Sequence, residues 1–103
     1  MIKLELLVLE DPADIAKTVL REIGIRKILL FPVKEYDEEH SHVEGYRGTQ
    51  YVVDFVNKTK MEIVVDSEEM IDRALHILSV EDIETEVFVY PIMKHHLVTK
   101  RVS

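Results

Sequence analysis

The chain has 103 residues, 47% of them apolar, a formal charge of −7 and no cysteine. That is enough for one domain with a modest core; it excludes disulfides and thiolate chemistry and supplies too little concentrated cationic charge for a nucleic-acid partner. No apolar run approaches the roughly 18–20 residues that span a bilayer, and the alternating start Met1–Leu6 lacks a signal-peptide core, so the expectation is a cytoplasmic protein that is not itself a membrane protein.

Ile2 to Leu9 reads as a strand, with Ile2, Leu4, Leu6 and Val8 on one face and Lys3, Glu5, Leu7 and Leu9 on the other. Asp11-Pro12 then predicts a helix start, with Asp11 as N-cap and Asp14 near the positive end of the dipole. Ile15, Val19 and Ile23, widened by Ala16 and Leu20, form its apolar stripe, and Gly24 stands where a helix stops. Residues Ile25 to Val33 read as a second strand, with Pro32 placing its end at an edge or beside a departing loop.

Residues 34–50 show no sustained apolar periodicity, and loops of that length in a small domain are commonly functional. The stretch 35–44 carries Glu35, Asp37, Glu38, Glu39 and Glu44 without a Lys or Arg. It reads either as a solvated loop or as one presenting negative charge to a basic partner or a cation. Val52 to Val65 is a third strand, with Asp54 inside its apolar start as a partly buried, hydrogen-bonded anchor. Asp66-Ser67-Glu68-Glu69 caps a second helix whose buried face is Met70, Ile71, Ala74, Leu75 and Leu78. His76 sits beside these as a packing or rim histidine, and Glu84 to Tyr90 makes a fourth strand limited by Pro91.

The order β-α-β, long loop, β-α-β predicts an α+β, ferredoxin-like domain over 1–103, a four-stranded antiparallel sheet with two helices on one face. The other face would carry Leu7, Leu9 and similar side chains, more apolar surface than a monomer shows to water. A symmetric homo-oligomer is therefore expected.

Tyr46-Arg47-Gly48-x-x-Tyr51-Val52-Val53-Asp54-Phe55, followed by Lys58-x-Lys60-x-Glu62-Ile63-Val64-Val65, resembles the PII nitrogen-regulatory signalling proteins. The resemblance is dense over about twenty residues and extends, more thinly, along nearly the whole chain, including His42-x-Glu44 and Gly24-Ile25. It implies a trimer of ferredoxin-like subunits, each projecting a T-loop, here about 34–50, that controls a transporter, enzyme or regulator. Tyr46, Arg47, Gly48, Thr49 and Tyr51 would then contact the partner. Tyr51 matches a tyrosine that many members have uridylylated, and Thr49 lies where another branch carries a phosphorylated serine.

Departures from the family pattern concern its effectors, ATP or ADP and 2-oxoglutarate. The family cradles phosphates in a Gly-Lys-Ile-Gly-Asp-Gly-Lys type loop before the last strand, where glycines let backbone amides approach. The corresponding stretch here, Val80 to Glu86, lacks glycine and is acidic. Leu97 and Thr99 stand where the family has phosphate-holding arginines, Glu35 and Asp37 replace small residues at the T-loop base, and Glu39 replaces a glutamine. The candidate effector residues are thus Glu39, with the retained Lys58, Glu62 and Val64.

His40-x-His42, with Glu38, Glu39 and Glu44 nearby, and the pair His95-His96 invite a metal reading. The copper-tolerance CutA proteins share the trimeric fold and make a trimeric cation- or small-ligand-binding protein the alternative. An enzyme is the least supported class, because the chain offers no recognisable nucleophile–base arrangement and no glycine-rich phosphate turn. The reading is a non-enzymatic PII-like regulator with altered or lost ATP and 2-oxoglutarate sensing.

Overall fold

Strand β1 (Ile2–Leu9) is the spine of the sheet, hydrogen-bonded along both edges. A computed structural model describes residues 1–40, 42–53 and 55–100, with the side chains of His40, His42, Glu44, Tyr46, Tyr51 and Val53 outside the description. After β1 come α1 (Ala13–Glu22), β2 (Leu29–Tyr36), a 3-10 turn (Glu38–His40), β3 (His42–Tyr46), β4 (Thr49–Val53), β5 (Phe55–Val65), α2 (Glu68–Val80) and β6 (Thr85–Pro91). One four-stranded antiparallel sheet has the order β2-β5-β1-β6, and β3 and β4 form a separate two-stranded sheet. This is the expected ferredoxin-like α+β architecture.

Period-two alternation decides the two faces of the main sheet. Leu4, Leu6 and Val8 from β1 and Met61, Ile63 and Val65 from β5 are buried against Ala16, Val19 and Leu20 of α1 and Ile71, Ala74 and Leu78 of α2. No polar side chain is buried among the described residues, so this core is held by apolar contact alone. The opposite face carries Leu9, Leu29, Phe31, Val64, Phe88 and Tyr90, all exposed, interleaved with charged residues.

Both helices end in the same way. Gly24 and Asp82 each take a left-handed conformation, with φ of 102° and 56°. Gly24 N–H donates to the Arg21 carbonyl and Ile25 N–H to that of Leu20, while Asp82 N–H donates to Ser79 and Ile83 N–H to Leu78. These are Schellman pairs, and each is followed by a buried isoleucine, Ile25 or Ile83. At the start of α2 the Ser67 hydroxyl accepts the Met70 N–H at 3.3 Å, the expected cap.

Several expectations need correction. The second strand begins at Leu29 instead of Ile25, because Ile25 is committed to the Schellman pair and its side chain to the core. Pro12, not Asp11, is the cap residue of α1, and no side chain caps that helix; Ala13 N–H reaches the Glu10 carbonyl instead. Ile15 and Leu75 are exposed, each lying one residue, about 100° of helix, off its buried stripe. Residues 34–50 are largely strand: β2 continues to Tyr36, and a hairpin follows. The third strand is divided into β4 and β5, and Asp54, read as an anchor, lies outside the described residues. His76 is exposed at the helix surface.

The Cα radius of gyration is 17.7 Å, against about 13 Å for a compact domain of this length.

The two helix ends make a paired prediction. Asp82→Gly should stabilise the protein by about 0.5–1 kcal/mol by relieving a left-handed non-glycine residue. Gly24→Ala should destabilise it by about 1 kcal/mol through the backbone alone, since an added Cβ at Gly24 would meet no atom within 4 Å. Urea unfolding of both variants measures the two shifts, with opposite signs expected.

Candidate functional site

Residues that the sequence singled out lie on two connected surfaces, the β3–β4 hairpin and the open sheet face beneath it. Tyr46 pairs with Thr49, leaving Arg47-Gly48 as a two-residue loop. Both loop residues have positive φ, 51° and 77°, which makes a type I′ turn, the form whose twist suits a tight hairpin. Arg47, Gly48 and Thr49 are exposed at this tip. Tyr51 is in register with Glu44 on the neighbouring strand, and the Tyr46 and Tyr51 side chains lie outside the described residues. Val43 and Val52 are direct cross-strand partners, and both are exposed. An exposed apolar pair of this kind, on the same hairpin as an exposed arginine at its tip, is suited to contact another protein.

Beneath the hairpin, β2 and β5 remain paired as far as Glu35↔Val56 and Tyr36↔Phe55. Lys58 Nζ donates to Glu35 Oε1 at 2.9 Å, tying the two strands together on the open face. The Lys58 side chain is only 16% exposed. The hydrogen bond and charge of Glu35, with the more distant Glu86 and Asp37, raise the Lys58 pKa against the opposing effect of burial. On the other side of the same strands, Lys34 lies 4.8 Å from the centre of the Phe55 ring.

Further along β5, Glu62 faces Glu5 directly across the β1 pairing, a like-charge contact that alone would be unfavourable. Lys3 and Lys60 lie 4.0 Å and 3.6 Å from the Glu62 carboxylate and offset it. The same two ammonium groups sit over Tyr90 and Phe31, at 4.9 Å and 4.8 Å from the ring centres. The open face is therefore a lattice of ion pairs and cation–π contacts on an apolar ground.

Two cavities open on this face. A cavity of about 660 Å³ at the Met1 end is lined by Glu62 and Val64, with Lys3, Arg26, Lys27 and His95 beside them. Another, of about 330 Å³, lies at the hairpin end and is lined by Lys58, Glu35, Glu84 and Glu86, with Leu7 and Leu9. The structure thus brings Glu62 and Val64 together and separates them from Lys58. Glu39 lines neither; it is exposed in the 3-10 turn, where its N–H donates to Asp37 Oδ1 at 3.0 Å.

Of the residues that line the larger cavity, Lys3, Arg26 and Lys27 were not singled out from the sequence, and His95 was read only as a metal candidate with His96. Lys3, Lys60 and Glu62 could have been grouped by strand alternation, whereas Arg26, Lys27 and His95 come from unstructured segments whose placement has no local signal. The His40 and His42 side chains fall outside the described residues. Among the described residues, no three His, Asp or Glu side chains converge as a metal site would require.

No protein-family model matches the chain. Curated relatives do. The chain is 35% identical to the nitrogen regulatory protein P-II of Azospirillum brasilense over 76% of this chain and 69% of that protein. It is 37% identical to that of Rhodobacter capsulatus over the same shares. With that of Pasteurella multocida (strain Pm70) it shares 32% identity across 89% of this chain and 86% of the relative. These identities and their extent, on a ferredoxin-like sheet that carries a hairpin at the matching motif, show that the chain belongs to the nitrogen regulatory protein P-II family.

Proposed function

We propose that this chain is a nitrogen-regulatory signal-transduction protein that acts as a homotrimer and controls a partner protein through its T-loop, without catalysing a reaction. The partner would be a transporter, metabolic enzyme or regulator. The observation that carries this reading is the hairpin: a two-stranded sheet separate from the core, ending in an exposed Arg47-Gly48-Thr49 tip and bearing the exposed pair Val43 and Val52. Nothing in the packing of the core requires that surface. The exposure of Thr49 also suits it, with Tyr51, as a site of modification.

The trimer is favoured by the open sheet face. Leu29, Phe31, Phe88 and Tyr90 on one side of a thin sheet form more apolar surface than an isolated domain usually leaves in water.

Sensing of ATP and 2-oxoglutarate is altered or lost in this reading. The smaller cavity presents Glu35, Glu84 and Glu86 around Lys58, whose charge Glu35 already satisfies at 2.9 Å. Carboxylates in that number disfavour a polyphosphate or a dicarboxylate there. Glu39, Glu62 and Val64 remain the candidates for any residual effector contact.

Four measurements test these points. Capture from the native cell extract should retain a partner on the wild-type chain and lose it on an Arg47→Ala/Val52→Ser variant whose melting temperature is unchanged; equal retention would sink the T-loop assignment. Light scattering should give a trimer, and millimolar ATP, ADP or 2-oxoglutarate should shift the melting temperature by less than about 1 °C, because a bound ligand at 100 times its Kd would add about 2.7 kcal/mol. Finally, the raised Lys58 pKa means its ion pair stabilises the fold below the ordinary lysine value of 10.5 and loses that contribution as pH climbs through the higher folded value. The stability difference between wild type and Glu35→Gln should therefore be present at pH 8 and shrink above about pH 10.5.

A further inference from the structure

Two strands of the main sheet run on past the point where the sheet has a third. β1 pairs with β5 only as far as Leu9↔Lys58. β2 stays paired with β5 beyond that rung, through Lys34↔Asn57, Glu35↔Val56 and Tyr36↔Phe55. These last rungs make a two-stranded ribbon between the sheet and the β3–β4 hairpin. Such a ribbon by itself is marginally stable in water. The helices do not cover this one either, since Tyr36 and Phe55 are 66% and 43% exposed.

Strand alternation puts Glu35, Val56 and Lys58 on the open face of the ribbon and Lys34, Tyr36, Phe55 and Asn57 on the other. A tie crosses each face, and each runs on the diagonal between neighbouring rungs. Lys58 Nζ, whose own rung partner is Val33, reaches Glu35 Oε1 at 2.9 Å. Lys34, whose rung partner is Asn57, sits 4.8 Å from the centre of the Phe55 ring. Diagonal neighbours belong to different rungs, so parting the strands at the ribbon separates both pairs at once. The two ties also differ in what anchors them. Lys58 is held in the three-stranded part by its rung with Leu9, and it is the fixed end against which Glu35 closes. This is a charge-assisted hydrogen bond between side chains only 16% and 34% exposed. An external anion would have to displace a carboxylate that strand pairing already holds beside the ammonium, an intramolecular competitor at high effective concentration.

We propose that this ribbon is a self-contained latch: the Glu35–Lys58 and Lys34–Phe55 ties hold the hairpin in its partner-binding pose without any small molecule, and opening of the latch releases the hairpin while the β1–β5 ladder stays paired. The inference rests on the T-loop reading and deepens it. The orientation of the Arg47-Gly48-Thr49 tip is then set by two contacts within its own chain.

Hydrogen exchange of the backbone amides, followed by mass spectrometry of overlapping peptides from exhaustively dialysed full-length protein, tests the latch. Amides of residues 34–36 and 55–57 should be protected in the wild type with nothing added. Millimolar ATP, ADP or 2-oxoglutarate should change their rates by less than about twofold. Lys34→Met/Glu35→Gln should speed exchange about tenfold there and in β3 and β4, with residues 59–65 unchanged. Lys58→Glu alone should do the same, and the charge exchange Glu35→Lys/Lys58→Glu should bring the rates back to within about threefold of wild type. Protection that appears only once a small molecule is added overturns the latch. So do equal rates in wild type and Lys34→Met/Glu35→Gln, failure of the charge exchange to restore protection, or acceleration that spreads into residues 59–65. Capture of the partner from the native extract separates this inference from the reading beneath it. A latch variant that exchanges fast yet captures the partner as well as wild type overturns the latch and leaves the T-loop reading standing, provided that Arg47→Ala/Val52→Ser still loses the partner. Retention by Arg47→Ala/Val52→Ser overturns the T-loop reading and the partner-binding pose with it.

Discussion

The register of β1 is the constraint on which the domain depends. Leu4, Leu6 and Val8 meet Ile63, Met61 and Thr59 on one side and Val89, Val87 and Thr85 on the other. A slip of one residue would turn Lys3 and Glu5 toward the helices and expose the apolar set. Ionised side chains among Leu20, Ile71 and Ala74 would be costly there, since no polar side chain is buried among the described residues. The alternation is therefore enforced from the buried side, and the pattern on the open side follows from it.

That open side gathers most of the candidate site residues of the sheet. Because β5 is locked to β1, Lys58, Lys60, Glu62 and Val64 all emerge on one face, and because β2 is locked to β5, Glu35 arrives opposite Val56 and within reach of Lys58. The ion pair at 2.9 Å sits at the root of the hairpin, so the strands that carry the hairpin are fastened by the same residue that a ligand of the cavity would meet. Local charge and hairpin support are physically one feature. Glu62, between Lys3 and Lys60, plays a comparable part further along the face, and its ion pairs are exposed enough to count more for arrangement than for stability.

The hairpin itself stores a small conflict. Arg47 adopts a left-handed conformation that glycine, asparagine or aspartate would take more easily. An arginine at the tip is therefore costly for the turn relative to glycine. Asp82 takes a left-handed conformation as well, at the end of α2 and within the acidic stretch Val80 to Glu86.

Much of the architecture was legible in the residues. Alternation in Ile2 to Leu9, the Ser67 cap and the Gly24 stop are local signals, and the structure uses each of them. The hairpin was legible only in part, since Arg47-Gly48 lacks the Asn-Gly or Asp-Gly signature and Val43 and Val52 are too sparse to show a period. The start of β2 was misplaced because Ile25 and Ile28 look continuous with the apolar run that follows, while the Ile25 N–H is claimed by the end of α1. For the site, the sequence by itself determined the motif, the acidic stretch Val80 to Glu86 and the family, because these are statements of residue type and order. Only the tertiary structure decided that Glu35 reaches Lys58, that Glu62 and Val64 share a cavity with Lys3, Arg26 and His95, and that Glu39 joins neither. Those are contacts between residues far apart in the chain, and strand pairing, which no local pattern encodes, is what brings them together.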